Sequence, residues 1–125
     1  MRVAGIGFRQ AATVASLRDA LARAVGNGPP VQYLATAQQK AGAPAFRDLA
    51  AALSIPCISV DTADLEAITT PTHSARVYDQ FGTGSLAEAA ALVAAGPDAK
   101  LRVARVVSGD RMATAAIAEN EDIQT

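Results

Sequence analysis

Two glycine-rich segments carry the residue types best suited to holding an anion. In Phe81-Gly82-Thr83-Gly84-Ser85-Leu86-Ala87-Glu88, a glycine turn runs into an alanine-rich stretch. Ser85 stands where an N-cap belongs, and Glu88 follows three residues later, the spacing of a capping box. Gly82 and Gly84 leave the backbone open to a ligand. The N–H groups and positive pole of the helix then attract negative charge. Gly5-Ile6-Gly7-Phe8-Arg9-Gln10 reads as a second turn of this character. Arg9 and Lys40 add charges that can pair with carboxylates, Arg9 bidentately. The candidate ligand-binding set is Gly5, Gly7, Arg9, Gln10, Lys40, Gly82, Thr83, Gly84 and Ser85.

Each feature also has a plainer reading. Gly5 and Gly7 suit close strand–helix packing, and Ser85 with Glu88 suits an ordinary cap. Neither glycine segment has the third spaced glycine of a dinucleotide fingerprint or the lysine of a Walker loop. His73 is the only histidine, with Arg76, Tyr78 and Asp79 close in sequence. Sequence proximity alone does not make that group catalytic, and no catalytic residue is assigned. Cys57, in the apolar run Ile-Pro-Cys-Ile-Ser-Val, reads as a buried small residue. With one cysteine and one histidine, no protein-built metal site is expected, and no cofactor.

The elements that must position these residues follow from spacing. Val3–Phe8 reads as a buried strand. Thr13–Val25 reads as a helix, because Val14, Leu17, Leu21 and Val25 recur at three- and four-residue steps. Gly26-Asn27-Gly28-Pro29-Pro30 stops it. Val31–Ala35 is a second strand, and residues 36–42 form a polar loop carrying Lys40. Pro44–Leu53 is a helix with Phe46, Leu49 and Leu53 on one face. Ile55–Val60 is a third strand, and Asp61 caps a short helix through Ile68. Residues 69–82 stay unassigned. Ser85–Ala95 is a helix closed by Gly96-Pro97. Leu101–Val107 and Met112–Ala118 flank Ser108-Gly109-Asp110-Arg111 as an antiparallel hairpin. The order predicts an α/β fold: a three-layer α/β/α sandwich with a mixed sheet of parallel strands and a C-terminal antiparallel hairpin. Ligands in such folds bind at the carboxyl ends of the parallel strands. One domain is expected over residues 1–118, with a polar tail over residues 119–125.

A chain of 125 residues can bury a core without staples. The formal net charge of −1 and the lack of a basic block argue against a nucleic-acid partner. No stretch approaches the roughly 20 apolar residues of a membrane span, and no secretory signal is evident. With a single cysteine, this predicts a cytoplasmic protein without a membrane partner.

The order Gly-Ile-Gly-Phe-Arg, then Leu-Ala-Thr-Ala-Gln-Gln-Lys-Ala-Gly-Ala-Pro, then Gly-Thr-Gly-Ser-Leu-Ala-Glu, then a final strand pair resembles a cobalamin (vitamin B12) biosynthesis family. That family comprises CobE and the C-terminal domain of CbiG, and the resemblance runs from Val3 to about Ala118. It implies a three-layer α/β fold and a role in handling corrin-ring intermediates. Matching positions are Gly5, Gly7 and Arg9, then Lys40 and Pro44, then Gly82, Thr83, Gly84, Ser85 and Glu88. The chain departs from the family pattern at Gln10 and Ala11, and at Ala43 and Ala45, where the family often has Glu and Gly. The implied function is to bind or hand on a carboxylated corrinoid intermediate. The implied partners are that tetrapyrrole and other enzymes of the pathway. One alternative is a hydrolase that opens a ring lactone of a precorrin and releases acetaldehyde. Another is a small nucleotide- or phosphate-binding regulatory module.

Overall fold

The computed structural model describes residues 1–81 and 83–120, those at 76, 79 and 80 by their backbone only. In chain order the elements are β1 (Arg2–Phe8), α1 (Val14–Val25), β2 (Tyr33–Ala37), a 3₁₀ turn (Gln38–Lys40) and α2 (Pro44–Leu53). There follow β3 (Cys57–Val60), α3 (Thr62–Glu66), α4 (Ala75–Phe81), α5 (Leu86–Ala95), β4 (Lys100–Val107) and β5 (Ala113–Glu119). The sheet order is β3-β2-β1-β5-β4. β1, β2 and β3 are parallel, while β5 is antiparallel to both β1 and β4. This is the mixed α/β sandwich expected from the sequence.

The period-two alternation of β1 divides the layers. Ala4 and Ile6 face a cluster with Leu17 and Leu21 of α1 and Phe46 and Leu49 of α2. Val3 faces the other cluster, with Leu65 of α3, Phe81 of α4 and Leu86 and Ala90 of α5. Gly5 falls on that second face, and there α5 presses onto the sheet. A Cβ on Gly5 would lie 1.9 Å from the Ala87 carbonyl oxygen and 2.7 Å from the Ala91 nitrogen. Most of α5 is buried, which accounts for its alanine content.

Several local expectations need correcting. Gly5 and Gly7 lie within β1 rather than in a turn; the chain turns after Phe8, and α1 begins with a Thr13–Ser16 capping box. Asp61 stands at the N-cap of α3 but makes no side-chain cap, and that helix ends at Glu66. The unassigned region holds α4. Glu119 completes β5 instead of opening a tail, and Asn120 still donates its N–H to the Met1 carbonyl at 3.0 Å. Cys57 is exposed, because β3 is an edge strand only partly covered. Desolvation raises its thiol above the usual 9.0, and nearby Arg47 opposes the rise. Among the described residues, no helix is long and apolar enough to cross a membrane.

Candidate functional site

A cavity of about 640 Å³ opens beyond the carboxyl ends of β1 and β2. This is where a doubly wound sheet offers a crevice. Gly7, Arg9, Gln10, Lys40 and Ser85 all line it. Five of the candidate residues thus converge on one space, although they arise from three separate segments.

Each is placed by a local device. The Arg9 N–H donates to the Met112 carbonyl at 2.9 Å, and the Arg9 carbonyl accepts from Ala12 at 3.0 Å. These bonds fix the turn after β1 and leave the Arg9 side chain exposed. Lys40 reaches back from the 3₁₀ turn and donates from Nζ to the Phe8 carbonyl at 2.6 Å. Its ammonium stands 4.7 Å from the Phe8 ring centroid and 5.8 Å from that of Phe81, within cation–π range. Gly7 keeps the wall clear where Leu86 and Ala87 open α5.

The second glycine segment is committed mostly to the fold. The Ser85 hydroxyl accepts from the Glu88 N–H at 3.3 Å, as an N-cap should. The reciprocal half of the expected capping box is missing. The buried Glu88 carboxylate instead accepts from the Thr72 N–H and hydroxyl, both at 2.9 Å, and from the Arg105 N–H at 2.8 Å. It therefore ties α5 to the 72–74 segment and to β4. Gly84 admits that segment: a Cβ there would lie 2.8 Å from the Thr72 carbonyl oxygen and 2.9 Å from the His73 ring. Its open backbone is thus filled by the chain's own residues. Thr83 is buried, and its hydroxyl has no partner among the described residues. Gly5, Thr83 and Gly84 do not line the cavity, and Gly82 lies outside the described residues. His73 is exposed beside Tyr78, with ring centroids 5.6 Å apart, and does not line it either.

Two further cations line the cavity, Arg105 and Arg111. Arg111 ends the hairpin turn at φ +63°, a left-handed conformation uncommon for a residue with a side chain. The turn is held by Asp110. Its carboxylate accepts from the Ser108 hydroxyl, the Ser16 hydroxyl and the Met112 N–H. These bonds, Ser108's first, lower its pKa from 3.8 to about 2. The Ser-Gly-Asp-Arg turn was visible in the sequence. Its position beside Arg9 was not, because that depends on β5 pairing with β1. Arg105 had no local signal.

Four cationic side chains thus line the cavity, and among the described lining residues there is no Asp, Glu or His. Phe8, Val77, Phe81 and Leu86 supply an apolar wall. The result is a three-layer α/β domain whose cavity, at the carboxyl ends of β1 and β2, is lined by cationic and apolar side chains. The family model "Cobalamin synthesis G C-terminus" matches residues 2–118. The crystal structure of CobE, a protein of the cobalamin biosynthetic pathway, superposes with a TM-score of 0.88 at 30% identity, covering 99% of this chain and 93% of that one. The cobalamin biosynthesis protein chiG of Agrobacterium tumefaciens gives 0.77 at 38% identity, covering 98% of this chain and 100% of that one. A cobalamin biosynthesis protein G homologue from Sulfolobus solfataricus shares the fold, with a TM-score of 0.70 at 18% identity, over 94% of this chain and 36% of that one. No curated protein matches the sequence. The chain belongs to the cobalamin synthesis G C-terminal family and is a cobalamin biosynthesis protein.

Proposed function

We propose that this domain binds a carboxylated corrinoid intermediate in the cytoplasm and hands it on to another enzyme of the pathway. One observation carries the reading: Arg9, Lys40, Arg105 and Arg111 line a single cavity without a described carboxylate among them, in a chain of net charge −1. Corrin intermediates carry acetate and propionate arms around an apolar ring. Guanidinium groups suit the arms, and the Phe8, Val77, Phe81 and Leu86 wall suits the ring. The functional unit is the single α/β domain, with the hairpin contributing Arg105 and Arg111.

Binding is favoured over lactone hydrolysis by the same lining. A hydrolase needs a base to activate water, and the described lining residues include no Asp, Glu or His for that task. Ala43, where the resembling family often has Glu, lies on the cavity wall. The test is a titration of the protein with a corrin bearing free acetate and propionate groups, read by visible absorption and by co-elution on gel filtration. The expected result is a spectral shift that saturates, with no acetaldehyde released from a lactone-bearing corrinoid. Absence of both shift and co-elution would remove the reading.

A further inference from the structure

We infer that Arg105 forms a second carboxylate subsite in this cavity, apart from the Arg9–Arg111 end, so that the occupant is gripped at two carboxylates at once. The inference rests on the proposed corrinoid binding and specifies what that ligand must carry.

Arg105 reaches the cavity through an irregular backbone. β4 pairs with β5 at Leu101–Ala118, Val103–Ile117, Val106–Ala115 and Val107–Thr114, with register shifts between the first three pairs. Those shifts change which face each residue meets. Leu101 packs on the α5 side, whereas Val103 and Val106 both pack on the α1 side. Without a shift, residues three apart would face opposite ways. The extra residue lets Arg105 line the cavity between the two valines. Bulges beside binding sites commonly re-aim a side chain in this way.

The shift also takes the Arg105 N–H out of the β4–β5 ladder, and Glu88 receives it at 2.8 Å. The Glu88 carboxylate is fully buried. Its acceptor positions go to Thr72 and to the Arg105 backbone, and among the described residues no salt bridge joins it to the Arg105 guanidinium. A buried acid thus fixes the arginine's backbone while leaving the guanidinium charge to the cavity. Glu88 is a positioning residue for Arg105.

The sheet order separates the backbones that carry the two subsites. The Arg9 N–H bonds to Met112, so Arg9 and Arg111 share the β1–β5 end. β4 lies beyond β5 from β1. At about 4.8 Å per strand, the Arg105 backbone stands on the order of 10 Å from the line of β1. The two subsites thus reach one cavity from different strands, and an occupant that engages both carries at least two carboxylates.

The test compares wild type, Arg105→Gln, Arg105→Lys and Arg9→Ala on two probes. One is a corrin with free acetate and propionate groups. The other is the same corrin with every carboxylate converted to an amide. Arg105→Gln keeps the backbone N–H that Glu88 holds, so the fold is expected to survive, checked by melting temperature. On the carboxylate probe it should bind about ten- to a hundredfold more weakly, with a shallower salt dependence. Arg105→Lys should recover part of the loss, and on the amide probe Arg105→Gln should match wild type. Glu88→Gln alone should also weaken binding, yet cost no further affinity in the Arg105→Gln background. Wild-type affinity in Arg105→Gln, with Arg9→Ala impaired, would overturn the second subsite and leave corrinoid binding standing. Additive losses for Glu88→Gln and Arg105→Gln would overturn the positioning role. Failure of wild type to bind the carboxylate probe would remove both the inference and the reading beneath it.

Discussion

The two ends of the sheet treat their cations in opposite ways. At the amino end of β1, one carboxylate serves two arginines. Glu119 accepts from Arg2 at 3.0 Å and from Arg102 at 3.3 Å. The Met1 ammonium beside them donates to the Asn120 carbonyl at 2.9 Å. At the carboxyl end, Arg9, Arg105 and Arg111 enter no salt bridge among the described residues. Gathering like charges around one cavity is unfavourable unless something negative arrives to offset it. The paired end closes the fold; on the proposed reading, the other end meets its negative charge in the ligand. A similar division runs along β1 itself. Gly5 admits α5, whereas Gly7, two residues on, clears the cavity wall.

The largest effect should come from confusing those two glycines. Gly5→Ala places a Cβ against backbone atoms at 1.9 and 2.7 Å, and backbone cannot rotate away. It should destabilise the domain by about 3 kcal/mol or more in urea denaturation. Gly7→Ala meets the Thr114 hydroxyl at 2.6 Å, a side-chain atom that can turn aside. Its cost should be about 1 kcal/mol. Equal costs would mean that β1 does not divide as described.

A smaller effect separates the ends by pH. The hydrogen bond from Arg2 is the main cause holding the Glu119 carboxyl below its usual 4.5, and Asp110 falls from 3.8 to about 2. Both groups bind protons more weakly folded than unfolded. Their stabilisation is therefore full above the unfolded values and is lost as pH falls through the folded ones. The melting temperature should drop as pH falls from 3.8 toward about 2, and Asp110→Asn should flatten that drop. An unaltered acid limb in the variant would show that Asp110 does not hold the hairpin turn carrying Arg111.

Much of the fold was legible because it is written locally. The periodic apolar positions of α1 and α2, the stops at Gly26 and Gly96, and the hairpin turn are all short-range signals. α4 was not legible, since the stretch is polar and short, and of its described side chains only Phe81 is buried, with Val77 half-buried. Cys57 was misread because an apolar run reveals a strand but not that the strand lies at the edge. The cavity was half legible. Arg9 and Lys40 stand beside recognisable motifs, whereas Arg105 depends on a register shift and on a carboxylate 17 residues away in sequence. Glu88 shows the limit of local reading: its spacing from Ser85 advertises a cap, but its charge is used across three elements.

The most direct test of the account compares one arginine from each end. Wild type, Arg9→Ala and Arg2→Ala are titrated with the same carboxylate-bearing corrin, with folding verified for each. Arg9→Ala should bind about one to two orders of magnitude more weakly at unchanged melting temperature, because a charged hydrogen bond to the ligand is worth roughly 1.5–3 kcal/mol. Arg2→Ala should bind as wild type does, since its charge is already matched by Glu119. Equal affinities for all three proteins, or equal losses in both variants, would contradict the claim that the cationic end of the sheet is the binding site.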